Sequence, residues 1–531
     1  MENIETENMP KKASIYNMLL QFIHGALLTL AFHPFDIFLV IPIAFSGFLC
    51  CLEKECLAAF NKPLQQKAFG AIGFKHGFAF FLGHFISSFY WIVCPLFIDI
   101  SKYWFLVPLA VLILPMFLAV FYAIASSIIC SRILFKYVVE SGVEKFKQNK
   151  IQRVKIAIYF AIGFLIAEII RSHILLPFPW NLLGYASGYS LSLMQLASVT
   201  GVYGLSLLLY LVGIIPYTKN FIAISTVTIV VIIITLYGNR RLNMSYIDNN
   251  HRHKFVTLYV VQPNLQHHNY EYEKQLAALS KTISIFDTNN LQNAQDSTTQ
   301  LIILPETAIP FILNKHQHII FDDLMNKYNN NAFLISGIDR YDNNKNEYYN
   351  SMIMINNTGT IVDSYDKIIL TPFGEYIPGY NILKNILQPI VGNAYGFTAG
   401  SNSRNLRIPL QHIFSEPLII MPMICFESIF TPLTKPRSSE KVDLIVNLTN
   451  DSWFGKTIGP YQHFAMTRMR AIEYGLPVVR AAKSGISAVI NSYGKIINQI
   501  QLNGEGMIVA EMPEDKVETI YMKIVQFFRG T

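Results

Sequence analysis

Three side chains of complementary chemistry sit where β-rich runs of this sequence end or break. The apolar run 300–304 leads into Pro305-Glu306, and the run 418–424 into Cys425-Phe426-Glu427. Between them, Tyr365-Asp366-Lys367 opens a loop punctuated by Pro and Gly that contains Phe373-Gly374-Glu375-Tyr376. Strand ends that face a loop-built cleft are common seats for reactive groups. A carboxylate, an amine and a thiol gathered there could form a nucleophilic site, in which a base takes the thiol proton and a cation favours the anion that forms. Each has a plainer reading in isolation: Glu306 as a turn residue, Lys367 as a solvated charge, Cys425 as a small buried core residue.

The elements that must position these residues belong to the second half of the chain. From about residue 254, short β-rich runs (255–262, 300–304, 332–337, 350–355, 418–424, 443–448 and 485–491) alternate with helical patterns near 271–287, 318–328 and 460–474. Near-continuous apolar strands such as 418–424 predict burial on both faces, hence a layered α/β domain with helices over the sheet.

The first half has a different solvent. The 531 residues are 52% hydrophobic and only 15% charged, with a mean hydropathy of +0.33. That balance places part of the chain in lipid and excludes disordered and disulfide-scaffold classes. Seven apolar stretches (14–33, 35–52, 69–98, 103–131, 156–175, 193–216 and 220–238) predict a seven-span bundle over 1–239, an extracytoplasmic domain over 240–515 and a short tail over 516–531. The apolar run 520–528 in that tail is too short to span.

Residues 240–531 hold 26 Lys and Arg against 25 Asp and Glu, so the net +7 belongs almost wholly to the membrane half. The excess therefore reads as topology and gives no support to a nucleic-acid partner. With a cytoplasmic N-terminus the inner loops carry thirteen Lys and Arg and the outer loops only Lys102 and Arg171, so the polar half faces outward. Of six cysteines, only Cys425 then lies in the outer domain. In an oxidising compartment a lone thiol is either buried inertly or used. Glu168 and Arg171 share a helix face near the outer membrane boundary, either as a lipid or substrate contact or as a pair stabilising the bundle.

The runs LPETAIP (304–310), YDKIILTPFGEYIP (365–378), CFESIF (425–430) and NDSWFG (450–455) resemble the nitrilase, or carbon–nitrogen hydrolase, superfamily. Together with the upstream spans and FPWNLLGY, VQPN, PYQH, RAIEYG and SGISA, the chain is similar to its membrane-bound branch, the apolipoprotein N-acyltransferases. The resemblance implies an αββα sandwich joined to a transmembrane helical bundle. It implies Glu306 as general base, Lys367 as oxyanion stabiliser and Cys425 as nucleophile. Glu375, Glu427, Phe426, Gln262, Asn264, Trp453 and His463 are implied as substrate-binding or supporting positions. Phe426 stands where many members have Tyr, and Lys483 where Asn is usual.

The implied activity is ping-pong acyl transfer in the bacterial inner membrane, with the catalytic domain facing the periplasm. A phospholipid is the acyl donor, a diacylated apolipoprotein the acceptor, and no cofactor or metal is required. A membrane-tethered amidase and a transporter with a sensing domain are the competing readings. A final expectation comes from YIPGYNILKNILQPIVGNAYGF (376–397), where Leu383 and Leu387 lie among apolar residues at helical spacing between Pro and Gly breaks. That pattern predicts a lipid-access arm beside the site.

Overall fold

Apolar runs of about 20 residues become helices in lipid, because every backbone donor and acceptor must be paired within the segment. The computed structural model describes residues 11–60, 65–243, 255–265, 272–287, 298–313, 321, 325, 328, 331–379, 396–401, 403–410, 416–432, 442–513 and 516–529. It divides into one unit of Met1–Met194 with Val202–Gly238 and another of Gln195–Gly201 with Asn239–Thr531.

In the first unit, helices occupy all seven apolar stretches: Lys11–Leu28, Val40–Ala58, Gln65–Phe89, Val107–Ile128, Lys150–His173, Ala197–Ile214 and Phe221–Asn243. Among the described residues, four segments, Gln65–Phe97, Trp104–Ser141, Ala197–Thr218 and Phe221–Asn243, are long and apolar enough to cross a membrane. Helices Lys11–Leu28 and Gln65–Phe89 meet backbone to backbone. A Cβ at Gly25 would lie 1.7 Å from the Phe80 carbonyl oxygen, and one at Gly83 2.1 Å from that of Phe22, so glycine is required at both. Phe45, Phe48, Phe80, Phe81, Phe164 and Tyr122 fill the interior.

Glu168 and Arg171 do not bind each other. Arg171 donates to the carbonyls of Phe178 (2.7 Å), Trp180 (3.0 Å) and Asn181 (3.2 Å) and to the Tyr122 hydroxyl (3.0 Å). Glu168 accepts from the Leu183 N–H (2.7 Å) and the Tyr210 hydroxyl (3.0 Å). The two charges clamp the FPWNLLGY loop.

The described residues of the second unit form thirteen strands: β1 (Val256–Gln262), β2 (Thr299–Ile303), β3 (Ile309–Leu313), β4 (Ala332–Asp342), β5 (Glu347–Asn356), β6 (Ile361–Asp366), β7 (Leu406–Ile408), β8 (Leu418–Ile424), β9 (Leu444–Thr449), β10 (Val478–Ala482), β11 (Ser487–Ile490), β12 (Ile496–Ile500) and β13 (Gly506–Glu511). They form two mixed sheets, ordered β13-β1-β2-β4-β5-β6, with β3 on β4, and β12-β11-β10-β9-β8-β7.

Alternation along each strand makes the layers. Val256, Leu258, Leu301, Ile303 and Met352 of one sheet pack against Leu418, Ile420, Leu444, Val446 and Val479 of the other. The opposite face of the first sheet, with Val261, Ile302 and Leu334, is covered by Phe321, Met325 and Ile283. That of the second, with Met421, Met423 and Ile445, is covered by helix Gly459–Tyr474 through Phe464 and Ala471. The result is the expected αββα sandwich.

Candidate active site

Central strands of a parallel core end together, so the segments after β2, β8 and β9 converge on one edge of the sandwich. Glu306 lies just past β2, Cys425 just past β8, and Asn450 just past β9. The Cys425 backbone is left-handed (φ 47°) at the start of a short helical turn, Cys425–Ile429. A non-glycine residue held there costs about 1–3 kcal/mol and persists only when its surroundings over-determine it. They do. Glu427 reaches back to the Ile424 N–H (2.7 Å), and the Cys425 carbonyl accepts from the Ser428 hydroxyl (3.1 Å) with His463 Nε2 also at 3.1 Å.

Glu306 is buried and hydrogen-bonded on both oxygens. Oε1 accepts from Asn350 Nδ2 (2.8 Å) and Oε2 from the Asn450 N–H (2.7 Å). The neighbouring Cys425 thiol favours the ionised form of the carboxyl. Lys367 Nζ lies 3.7 Å from Glu306 Oε1 and is gripped by both oxygens of Glu375, at 2.9 and 2.8 Å. Asn350 Nδ2 also donates to Glu375 Oε1 (2.8 Å), so one amide spaces the two carboxylates.

Burial raises the Glu306 carboxyl above the usual range and the Glu375 charge adds to this, with Lys367 opposing. Burial alone would lower Lys367, but Glu375 and Glu306 outweigh it and the amine stays an ammonium. The Cys425 thiol is pushed up by burial and by the Glu306 charge, with Lys367 opposing. At rest the site therefore holds a protonated thiol beside an ammonium, with the Glu306 carboxyl held above its usual range.

The structure brings Glu306, Lys367, Cys425 and Glu375 together. Glu427 stands behind them: its Oε1 accepts from the Tyr365 hydroxyl (2.7 Å) and the N–H groups of Ile368 (3.0 Å) and Ile369 (3.2 Å). It ties the chain around Lys367 to the Cys425 turn. Gln262 is a structural tie between the sheets, binding the Gln501 and Gly504 carbonyls at 2.9 Å and the Ser487 hydroxyl at 2.6 Å. Phe426 is buried against Phe430 (5.3 Å between ring centres). Trp453 is half-buried in the Asp451–Phe454 turn, and Asn264 lies just past β1 with a left-handed backbone. Leu383 and Leu387 of the expected arm lie outside the described residues.

Asn350 escaped the sequence, and so did the partners of His463, the expected supporting residue, in a buried set beneath Cys425. There Asp451 binds His463 Nδ1 (2.9 Å) and Arg480 (2.7 Å), and Arg480 and His463 hold the Asp451 carboxyl far below its normal range despite burial. Lys483 is buried with Nζ 3.4 Å from the Thr307 carbonyl. Burial lowers its pKa to about 8, with Asp339 and Glu306 opposing. Asp339 is itself pushed up to about 7 by burial and by the Glu306 charge.

Gly337 of β4 supports the Glu306 turn. A Cβ there would lie 2.6 Å from both Glu306 Cα and Thr307 N. Gly337→Ala is expected to shift the carboxylate and slow the reaction of Cys425 by about 10²-fold, the typical effect of an ångström of misplacement. Single-turnover kinetics, with a thermal melt showing a folded variant, checks it; an unchanged rate would free the turn from this role.

This second unit is a carbon–nitrogen hydrolase domain: the family model of that description matches residues 259–521. The model described as the apolipoprotein N-acyltransferase N-terminal domain matches residues 24–215. The apolipoprotein N-acyltransferase of Brucella melitensis is 32% identical over 511 residues, covering 94% of this chain and 90% of that protein. The enzyme of that name from Rickettsia prowazekii is 32% identical, covering 85% of each. The chain belongs to the apolipoprotein N-acyltransferase family.

Proposed function

We propose that the chain moves a fatty acyl group from a membrane phospholipid to the N-terminal amine of a diacylglyceryl-cysteine lipoprotein, through a thioester on Cys425. The observation that carries this reading is the meeting of a buried carboxylate and a buried ammonium, 3.7 Å apart, with a thiol on a constrained left-handed turn. Glu306 takes the thiol proton as sulfur attacks the ester carbonyl carbon, and the C–S bond forms. Lys367 stabilises the oxyanion. The C–O bond breaks, and Glu306 returns the proton to the departing lysophospholipid oxygen. In the second half the amine attacks the thioester, the C–N bond forms, the C–S bond breaks, and a proton from nitrogen passes through Glu306 to the thiolate. Glu375 and Asn350 hold Lys367 and Glu306 at their working separation.

A lipid donor requires the site to work at a bilayer, which gives the apolar helices their purpose. Seven crossings with the N-terminus in the cytoplasm put the catalytic unit on the periplasmic side of the bacterial inner membrane, in keeping with the Lys and Arg distribution.

Intact-mass analysis of the protein from membranes is expected to show one acyl chain on Cys425, discharged by a diacylated peptide amine faster than by water. Discharge to water at the same rate would make it an amidase, and no adduct would remove the thioester. Because Glu306 must be ionised to accept the proton, thioester formation should rise with pH through a limb displaced above the ordinary carboxylate range, in keeping with its raised pKa. Glu306→Gln should lose that limb and about 10² or more in rate.

A further inference from the structure

The helix Ile520–Arg529 has an apolar sector that the protein covers only in part. Tyr521 and Val525 are buried in the catalytic unit. Beside them, at positions i, i+4, i+7 and i+8 of one helical face, Ile520 (52%), Ile524 (41%), Phe527 (81%) and Phe528 (74%) are exposed. The polar Lys523 and Gln526 lie on the remaining flank.

The helix is not free to turn this face away. Thr519 fixes its start, its hydroxyl donating to the Glu473 carbonyl (2.8 Å) and accepting from the Met522 N–H (3.1 Å). The preceding Val517 N–H donates to the Gly475 carbonyl (2.9 Å). Tyr521 lies against Gly201, where a Cβ would come within 2.6 Å of its ring. Gly201 breaks the helix at Ala197–Ile214 with a φ of 66° and is the last residue of the catalytic unit's segment Gln195–Gly201. Gly201 falls within Ala197–Thr218, one of the segments long and apolar enough to cross a membrane. The uncovered face is thus fastened beside Gly201 of that segment.

We propose that Ile520, Ile524, Phe527 and Phe528 form a membrane-surface anchor of the catalytic unit, lying in the headgroup boundary with Lys523 and Gln526 toward water. The occupant is the bilayer itself: a helix with one apolar sector and a charged flank suits a depth of about 5–10 Å. The proposal needs only that the chain be a membrane protein. It is independent of the acyl-transfer reading and survives if that reading fails.

The test uses the full chain in nanodiscs, with Cys50, Cys51 and Cys94 replaced by Ser, Cys425 by Ala, and an environment-sensitive label on Ile524→Cys, Gln526→Cys or Phe527→Cys. Lipids brominated near the headgroup should quench labels at 524 and 527 several-fold more than at 526, and aqueous iodide should show the reverse. Equal iodide quenching at all three positions would overturn the anchor. Quenching at 527 mainly by lipids brominated at the chain ends would indicate a crossing segment instead, and energy transfer between two labelled chains in one disc would assign the face to a second copy. In parallel, Phe527→Glu with Phe528→Glu should slow transfer from bilayer donors several-fold while leaving alkylation of Cys425 by a soluble reagent unchanged. Equal loss of both would point to damage to the fold and overturn an anchoring role.

Discussion

Cys425→Ala is expected to abolish both the acyl adduct and the transferred product while leaving the protein folded. The fold should survive because the side chain contributes little packing beyond one sulfur atom at the rim of the core, whereas the left-handed turn is held by Glu427 and Ser428. Cys425→Ser should retain at most a trace, since an alkoxide is far harder to generate than a thiolate from the same base. Radiolabelled acyl transfer from phospholipid vesicles, with intact mass in parallel, measures both. Substantial product from Cys425→Ala would mean that the acyl chain passes directly from donor to acceptor.

Lys367→Met is expected to slow thioester formation by about 10²–10³-fold, corresponding to roughly 3–4 kcal/mol of lost oxyanion stabilisation. It also removes the cation that opposes the rise in the Glu306 pKa. Without Lys367 the carboxyl holds its proton to higher pH, so the acid limb of the rate profile should move further up. A variant slow at every pH but with an unmoved limb would retain Lys367 as oxyanion stabiliser and discard its coupling to Glu306. Wild-type rates would end both roles.

Much of this was legible because the reactive residues come directly after strong strands. The runs 300–304 and 418–424 are apolar on both faces, and the structure places β2 and β8 within a residue of those limits. Weaker strands escaped: β6 reads IVDSYD with its first residues exposed, β12 reads IINQI with its middle exposed, and β10 is interrupted by Arg480. The helix expected near 460–474 appears as Gly459–Tyr474. Asn350 carried an available signal, since it shares the inward parity of Met352 and Met354 at the start of a buried strand. Asp451 and Arg480 carried none. Their meeting depends on how β9 and β10 align, which only the folded sheet specifies.

The hydrogen bonds of Glu427 and Glu306 stitch one sheet to the other: Ile368, Ile369 and Asn350 belong to the first sheet and the loop after it, Ile424 and Asn450 to the second. The site therefore cannot loosen by local fraying. Isotope exchange at the Ile368, Ile424 and Asn450 amides should require separation of the sandwich as a whole. On heating, the chemistry should then disappear in a single step with the sandwich, rather than fading beforehand as a loop-borne site would.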